Sequence, residues 1–209
     1  MTDQYVVAFI GLLGVVIGSV ITIFQTFWAD RKERDRKARY LAIRLVCVLD
    51  KYLEDCLSVV NDDGLCCGQR TREGCLEPQV KSPGAPVLPS DVDWKSIDHA
   101  LMYDIMSFPS DVEAADKEIA SVDSEVAVGP DYDDFFEERS FHYAKFGLRV
   151  HGLASKLRKK YGIPAKDYGW RDPVGALKKE LEEIEERRKR QQTAIQAAFA
   201  ETEKSEKTS

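Results

Sequence analysis

The feature that most constrains this chain is an uninterrupted apolar run near its N-terminus, residues 5–28, with the sequence YVVAFIGLLGVVIGSVITIFQTFW. The run has no charged side chain. As a helix it would measure about 36 Å, more than the roughly 30 Å of a bilayer's hydrocarbon core. After Gly18 no glycine occurs before Gly64 and no proline before Pro78, so nothing interrupts helical propagation. The sequence therefore predicts a single transmembrane helix that continues into a stalk helix.

The charges on either side of this run predict its orientation. A basic cluster follows it at residues 31–39, whereas Asp3 is the one charged side chain before it. The positive-inside rule then places the N-terminus outside and the rest of the chain in the cytoplasm of a plasma or inner membrane. A cleavable signal peptide is the alternative, but the run is too long for one and the basic residues lie on the wrong side. The expected membrane-interface anchors are Tyr5, Trp28, Arg31, Lys32 and Arg34.

Small residues recur along one face of the apolar run. Gly14 and Gly18 form a GxxxG pair, with Gly11 about one turn before and Thr22 four residues after. Small side chains let two helix backbones approach closely in lipid. This spacing predicts homo-oligomerisation through Gly11, Gly14, Gly18 and Thr22, with the lipid bilayer as the surrounding partner; the alternative is that glycine is simply common in membrane helices.

Downstream of the run the chain is expected to be all-α. Apolar residues at three- and four-residue steps predict a helical bundle packed on the stalk. Pro109 is expected to end one helix, and Ser110 and Glu113 form a capping box that would open the next. Further helices are predicted at 94–106, 131–161 and 173–200, the last leaving the bundle as a coiled-coil arm. The expected segments are an extracytoplasmic N-terminus at 1–4, the transmembrane helix at 5–28, the stalk at 29–63, a Cys/Pro/Gly-rich loop at 64–93, a cytosolic helical domain at 94–200 and a disordered tail at 201–209.

The net charge of −6 conceals strong segregation along the sequence. Residues 91–138 are mainly acidic, whereas residues 31–51 and 139–166 are mainly basic. We interpret these blocks as mutual complements that pack side by side in the bundle. A nucleic-acid surface is disfavoured because no aromatic-interleaved or groove-binding motif accompanies the basic residues.

The five cysteines divide into two groups. Cys47 and Cys56 lie among apolar residues of the stalk and are expected in the core. Cys66, Cys67 and Cys75 share the loop and are weak candidates for a metal site or reversible thiol chemistry. Their spacing matches no zinc signature, so incidental cysteines are the favoured interpretation.

No other residues form a catalytic or cofactor-binding motif. Glu138 and His142 are four residues apart on one predicted helix, with Asp134 a turn earlier, but a carboxylate-bridged metal site needs ligands from several helices. A solvated acidic helix start explains these residues better. His99 and His151 are isolated, and no P-loop, G-x-G-x-x-G or G-x-S-x-G occurs. No catalytic residue and no cofactor is therefore expected.

The sequence indicates a membrane-tethered helical interaction protein, an adaptor or sensor that oligomerises and binds an unknown cytosolic protein. A membrane-perturbing or pore-forming assembly is the alternative. A thiol- or metal-dependent sensor that uses the cysteine loop is the third possibility.

Overall fold

Four α-helices make up the computed structural model, which describes the backbone of residues 2–72, 74–125 and 133–206. Side chains are described for residues 17–72, 74–122 and 134–199. Helix α1 spans Thr2–Val60, α2 spans His99–Glu125, α3 spans Asp133–Tyr161 and α4 spans Pro173–Glu206; a single 3₁₀ turn covers Trp94–Ser96. The described residues contain no β-strand, only an isolated bridge between Cys66 and Gln69. The predicted all-α bundle is confirmed.

Helix α1 supplies most of one wall of the core. Its buried apolar side chains begin at Ala38 and recur at three- and four-residue steps on one face; they are Ala38, Leu41, Ala42, Leu45, Val46, Leu49, Tyr52, Leu53, Cys56 and Val59. Cys56 is buried as predicted, whereas Cys47 is exposed, so its predicted place in the core is wrong. The helix ends at Val60, and Gly64 in the following turn has a left-handed φ of 71°.

Helix α3 packs antiparallel on the buried face of α1. Arg139 contacts Asp62 near one end, and Arg158 contacts Asp50 further along, so contacts move down α1 as residue numbers rise along α3. Between these pairs the two helices approach closely at Gly147. A Cβ at this position would lie 2.5 Å from Leu177 Cδ1 and 3.3 Å from Cys56 Cβ. A side chain at this position would have to displace the buried Leu177 where α1, α3 and α4 meet.

Helix α2 corrects two expectations from the sequence. It begins at His99, where the Asp98 side chain accepts hydrogen bonds from the backbone N–H groups of Ala100 and Leu101. It then runs through Pro109 without a break, so the predicted stop at Pro109 and the new start at Ser110 are wrong. Proline inside a helix costs about 3 kcal/mol. Burial of Phe108, whose ring packs edge-on against Tyr52 and Phe146, offsets that cost.

Helix α4 begins in the bundle and leaves it. Asp172 caps its start by accepting a hydrogen bond from the Gly175 N–H, directly before Pro173 at the first helical position. Leu177 and Ile184 are fully buried, whereas residues 191–199 are all exposed. The exposed end agrees with the prediction that this helix leaves the bundle. The helix continues to Glu206, into the segment that the sequence predicts as a disordered tail.

The segregated charges pair between elements as predicted. Arg149 on α3 lies 2.5 Å from Asp111 on α2, and Lys160 lies 2.8 Å from Asp98. Arg44 on α1 pairs with Asp91 at 2.7 Å. The basic and acidic blocks of the sequence are therefore complementary surfaces of one bundle.

The predicted membrane localisation is wrong on this structure. Among the described residues, no helix offers an apolar stretch long enough to cross a membrane. The side chains of residues 1–16, which include Tyr5, Gly11 and Gly14, lie outside the described ones. The finding contradicts the predicted single-pass topology with an external N-terminus.

Candidate functional site

The most unusual surface of the molecule is the part of α1 that precedes the bundle. Every described side chain from residue 17 to residue 37 is exposed, and the first buried one is Ala38. We call residues 17–37 the α1 arm. Seven large apolar side chains on this arm are 51% to 69% exposed; they are Ile17, Val20, Ile21, Ile23, Phe24, Phe27 and Trp28. Monomeric proteins rarely leave such a contiguous apolar surface uncovered, so the arm is the candidate interaction surface.

These seven side chains occupy one side of the arm, which we call the arm stripe. At about 100° per residue they fall within an arc of roughly 160°. The opposite side carries Gly18, Ser19, Thr22, Gln25 and Thr26. This part of the arm is thus an amphipathic helix. Because the sequence run contains no charged residue, its division into a strongly apolar side and a small, polar side is not obvious from the sequence.

The predicted association residues fall on the side opposite the arm stripe. The Thr22 hydroxyl donates to the Gly18 carbonyl at 2.9 Å, and the Thr26 hydroxyl donates to the Thr22 carbonyl at the same distance. Both hydroxyls are satisfied within the helix. Gly18 has open space where a Cβ would stand. The described half of the small-residue face is therefore present and accessible, but it is not the apolar face.

The predicted interface anchors in the described part of α1 lie at two places. Trp28 belongs to the arm stripe, and its ring centroid lies 5.8 Å from that of Phe24. Arg31, Lys32 and Arg34 are exposed at the base of the arm. A cleft of about 660 Å³ opens there, between the arm and the end of the bundle formed by Ile97 and Tyr161.

The cysteine loop does not assemble a metal site. Cys66 and Cys67 are exposed and Cys75 is half-buried; among the residues with described side chains, no group of three or more potential metal ligands comes together. Cys66 and Gln69 close a tight turn through reciprocal backbone hydrogen bonds, with Cys67 at a φ of 55°. The neighbouring Cys67 raises the pKa of the Cys66 thiol above its ordinary value, which lowers its thiolate fraction and its reactivity.

Sequence reasoning missed a buried ion pair that holds this loop in place. Arg139 Nη1 donates to Asp62 Oδ2 at 2.9 Å, and both side chains are almost completely buried. The Arg139 guanidinium also donates to the Ser82 hydroxyl and to the Val80 carbonyl, both in the loop. The one signal in the sequence was a charged residue within the apolar spacing of α3. Its partner, 77 residues earlier, could not be inferred from spacing.

The Glu138–His142 pair takes part in an ion-pair network between helices. His142 Nε2 lies 3.0 Å from Glu138 Oε1 and 3.3 Å from Glu118 Oε2 on α2. Arg188 on α4 reaches Glu138 at 2.6 Å and Glu137 at 2.9 Å. The network links α2, α3 and α4, which fits a structural role better than a catalytic one. Comparison of the chain with protein-family models, with curated proteins and with solved structures finds no match.

Proposed function

We propose that this protein is a helical interaction protein, an adaptor whose α1 arm is its docking element. The observation that carries the proposal is the arm stripe, seven large apolar side chains exposed on one side of a helix that extends beyond its own core. Burial of apolar surface contributes about 25 cal/mol per Å², so a partner that covers the stripe would release substantial free energy.

The arrangement of the rest of the molecule supports a docking role. The bundle anchors α1 through ten buried apolar side chains, so the arm extends from a fixed base. A preorganised helix loses less conformational entropy on association than a disordered segment would. The distal part of α4, residues 191–199, is also exposed, and it offers a second surface at the other end of the molecule.

The experiment that tests the proposal is the native mass of the full chain over a range of concentrations. We expect the wild-type chain to form complexes larger than its mass of 23.6 kDa. The double variant Phe24→Glu/Phe27→Glu should remain monomeric, because four charges would be buried in a dimer interface. The matched control is Thr22→Glu/Thr26→Glu, which places the same charges on the opposite side of the same turns and should still associate.

Two outcomes would contradict the proposal. In the first, the wild type stays monomeric at every concentration and binds no more of a hydrophobic dye than Phe24→Glu/Phe27→Glu does, so the stripe is not an exposed apolar surface in solution. In the second, the monomer binds phosphatidylcholine vesicles through Phe24 and Phe27, which would give the arm a lipid occupant instead of a protein one. If the control variant alone dissociates, the contact lies on the face of Gly18 and Thr22 that the sequence predicted.

A further inference from the structure

We propose that Cys66 and Cys67 form a reversible modification site, at which a low-molecular-weight disulfide oxidises the two thiols to a disulfide between these neighbouring residues. The site lies in the loop that follows the C-terminal end of α1, whereas the arm precedes the bundle. The inference is therefore independent of the proposed docking role. It follows from the way one tight turn holds two exposed sulfur atoms together.

The backbone of the cysteine pair is fixed by the turn. The Cys66 N–H donates to the Gln69 carbonyl at 2.9 Å, and the Gln69 N–H donates to the Cys66 carbonyl at 3.1 Å. The two central residues, Cys67 and Gly68, have φ values of 55° and 77°, both left-handed as in a type I′ turn. In the described part of the chain, Cys67 is the one residue other than glycine with a positive φ.

Within this turn the two thiol groups contact each other. The Cys66 thiol donates a hydrogen bond to the Cys67 sulfur, and both side chains are exposed to reagents in solvent. The thiolate is the attacking species in disulfide exchange. Because Cys66 is the member of the pair that its neighbour holds as the thiol, we assign the first attack to Cys67.

The reaction consists of two successive thiol–disulfide exchanges, with the low-molecular-weight disulfide as the oxidant. The Cys67 thiolate bonds to one sulfur of the reagent, and the other sulfur leaves as a thiolate. Cys66 then loses its proton, attacks the Cys67 sulfur and expels the second thiolate. The protein loses two hydrogen atoms in all, and the reagent becomes two thiols, which take up the two protons.

The product disulfide is strained, which makes the modification reversible. Adjacent Cα atoms lie about 3.8 Å apart across a trans peptide bond, whereas ordinary disulfides join Cα atoms roughly 4.4–6.8 Å apart. Strained and exposed disulfides are the ones that thiols reduce readily. A bond between Cys66 and Cys67 would therefore open again in excess reduced thiol, unlike a structural disulfide.

The test is mass spectrometry of the full-length protein after incubation with glutathione disulfide, alkylation of the remaining thiols and digestion with trypsin. Cleavage after lysine and arginine puts Cys66 and Cys67 in peptide 52–70 and Cys75 in peptide 73–81. Peptide 52–70 should lose two hydrogen atoms and stay separate from peptide 73–81. Fragmentation should locate the bond between the neighbouring cysteines, and excess reduced glutathione should restore both thiols.

Single substitutions test the role of each cysteine. Cys66→Ser should stop the reaction at the mixed disulfide, so that glutathione stays on Cys67. Cys67→Ser should leave Cys66 largely unmodified. The matched control is Cys75→Ser, which should oxidise as the wild type does. Cys47, an exposed cysteine of α1, reports in every sample how far the reagent modifies an ordinary thiol.

Four results would overturn the inference. They are glutathione attached separately to Cys66 and Cys67, a disulfide from either of them to Cys56 or Cys75, a pair that stays reduced while Cys47 is modified, and a bond that persists in excess reduced glutathione. Glutathione retained on Cys66 in Cys67→Ser would overturn the assignment of the first attack. None of these results bears on the arm, whose docking role is tested separately by the native mass.

Discussion

The carboxylate of Asp62 is the most heavily hydrogen-bonded acidic group in the described part of the chain. It accepts from the backbone N–H groups of Gly64, Gln79 and Val80 at 2.9–3.1 Å, as well as from Arg139. These contacts join the end of α1, the loop and α3 at one point. Burial alone would favour the neutral acid, but the hydrogen bonds from Val80, Arg139, Gly64 and Gln79 outweigh it, so the pKa of Asp62 lies below its ordinary value.

The first prediction at the residue scale concerns the removal of Arg139, the charged partner of Asp62. Arg139→Met should lower the free energy of unfolding by roughly 3–5 kcal/mol, because it leaves the buried Asp62 carboxylate without its counter-charge. The matched control is Lys156→Met on the same helix, which removes the solvent-exposed pair with Asp104 and should cost at most about 1 kcal/mol. Chemical denaturation measures both. Equal effects of the two substitutions would contradict the importance of the buried pair.

The second prediction concerns pH. Because the pKa of Asp62 is lower in the folded state, its ionised form contributes stability that is fully present above the unfolded pKa of about 3.9 and is lost as pH falls through the folded value. The free energy of unfolding should therefore decrease between about pH 5 and pH 2. Asp62→Asn should flatten this dependence. Asp91→Asn, which removes an exposed carboxylate paired with Arg44, should change it much less, and an unchanged slope in Asp62→Asn would refute the assignment.

At the scale of the elements, packing decides where each helix lies and where it ends. Helix α2 continues past Pro109 because Phe108 and Val112 are buried on either side of it. Helix α3 approaches α1 at Gly147, where Leu53, Cys56 and Leu177 leave no room for a side chain. Sequence spacing identified most of these helices but not these contacts, since propensity is local and burial depends on distant partners.

Two glycines of α3 provide the test at this scale. Gly147→Ala should lower the free energy of unfolding by about 1–2 kcal/mol, because overpacking against Leu177 and Cys56 exceeds the gain in helix propensity. Gly152→Ala has open space at its Cβ and should instead raise stability by up to about 1 kcal/mol. Thermal or chemical denaturation of the two variants gives the comparison. A shift of both in the same direction would contradict the close approach at Gly147.

At the scale of the whole molecule, the bundle and the α1 arm differ in how far their apolar side chains are exposed to solvent. The bundle covers its apolar face with its own helices, whereas the arm leaves the continuation of that face bare. The bundle therefore has a core enclosed by its own helices, whereas the arm stripe faces solvent. The proposed docking role of the arm follows from this single difference in burial.

The sequence by itself determined that the chain is all-helical, that α1 is long and continuous, and that acidic and basic blocks pair within the bundle. Periodicity, uninterrupted propagation and charge are local properties that can be read along the chain. Only the tertiary structure decided that Asp62 meets Arg139, that α2 passes through Pro109 and that the arm stripe continues the packing face of α1. Each of these depends on which distant residues are brought together, because burial and charge pairing arise only once the helices have packed.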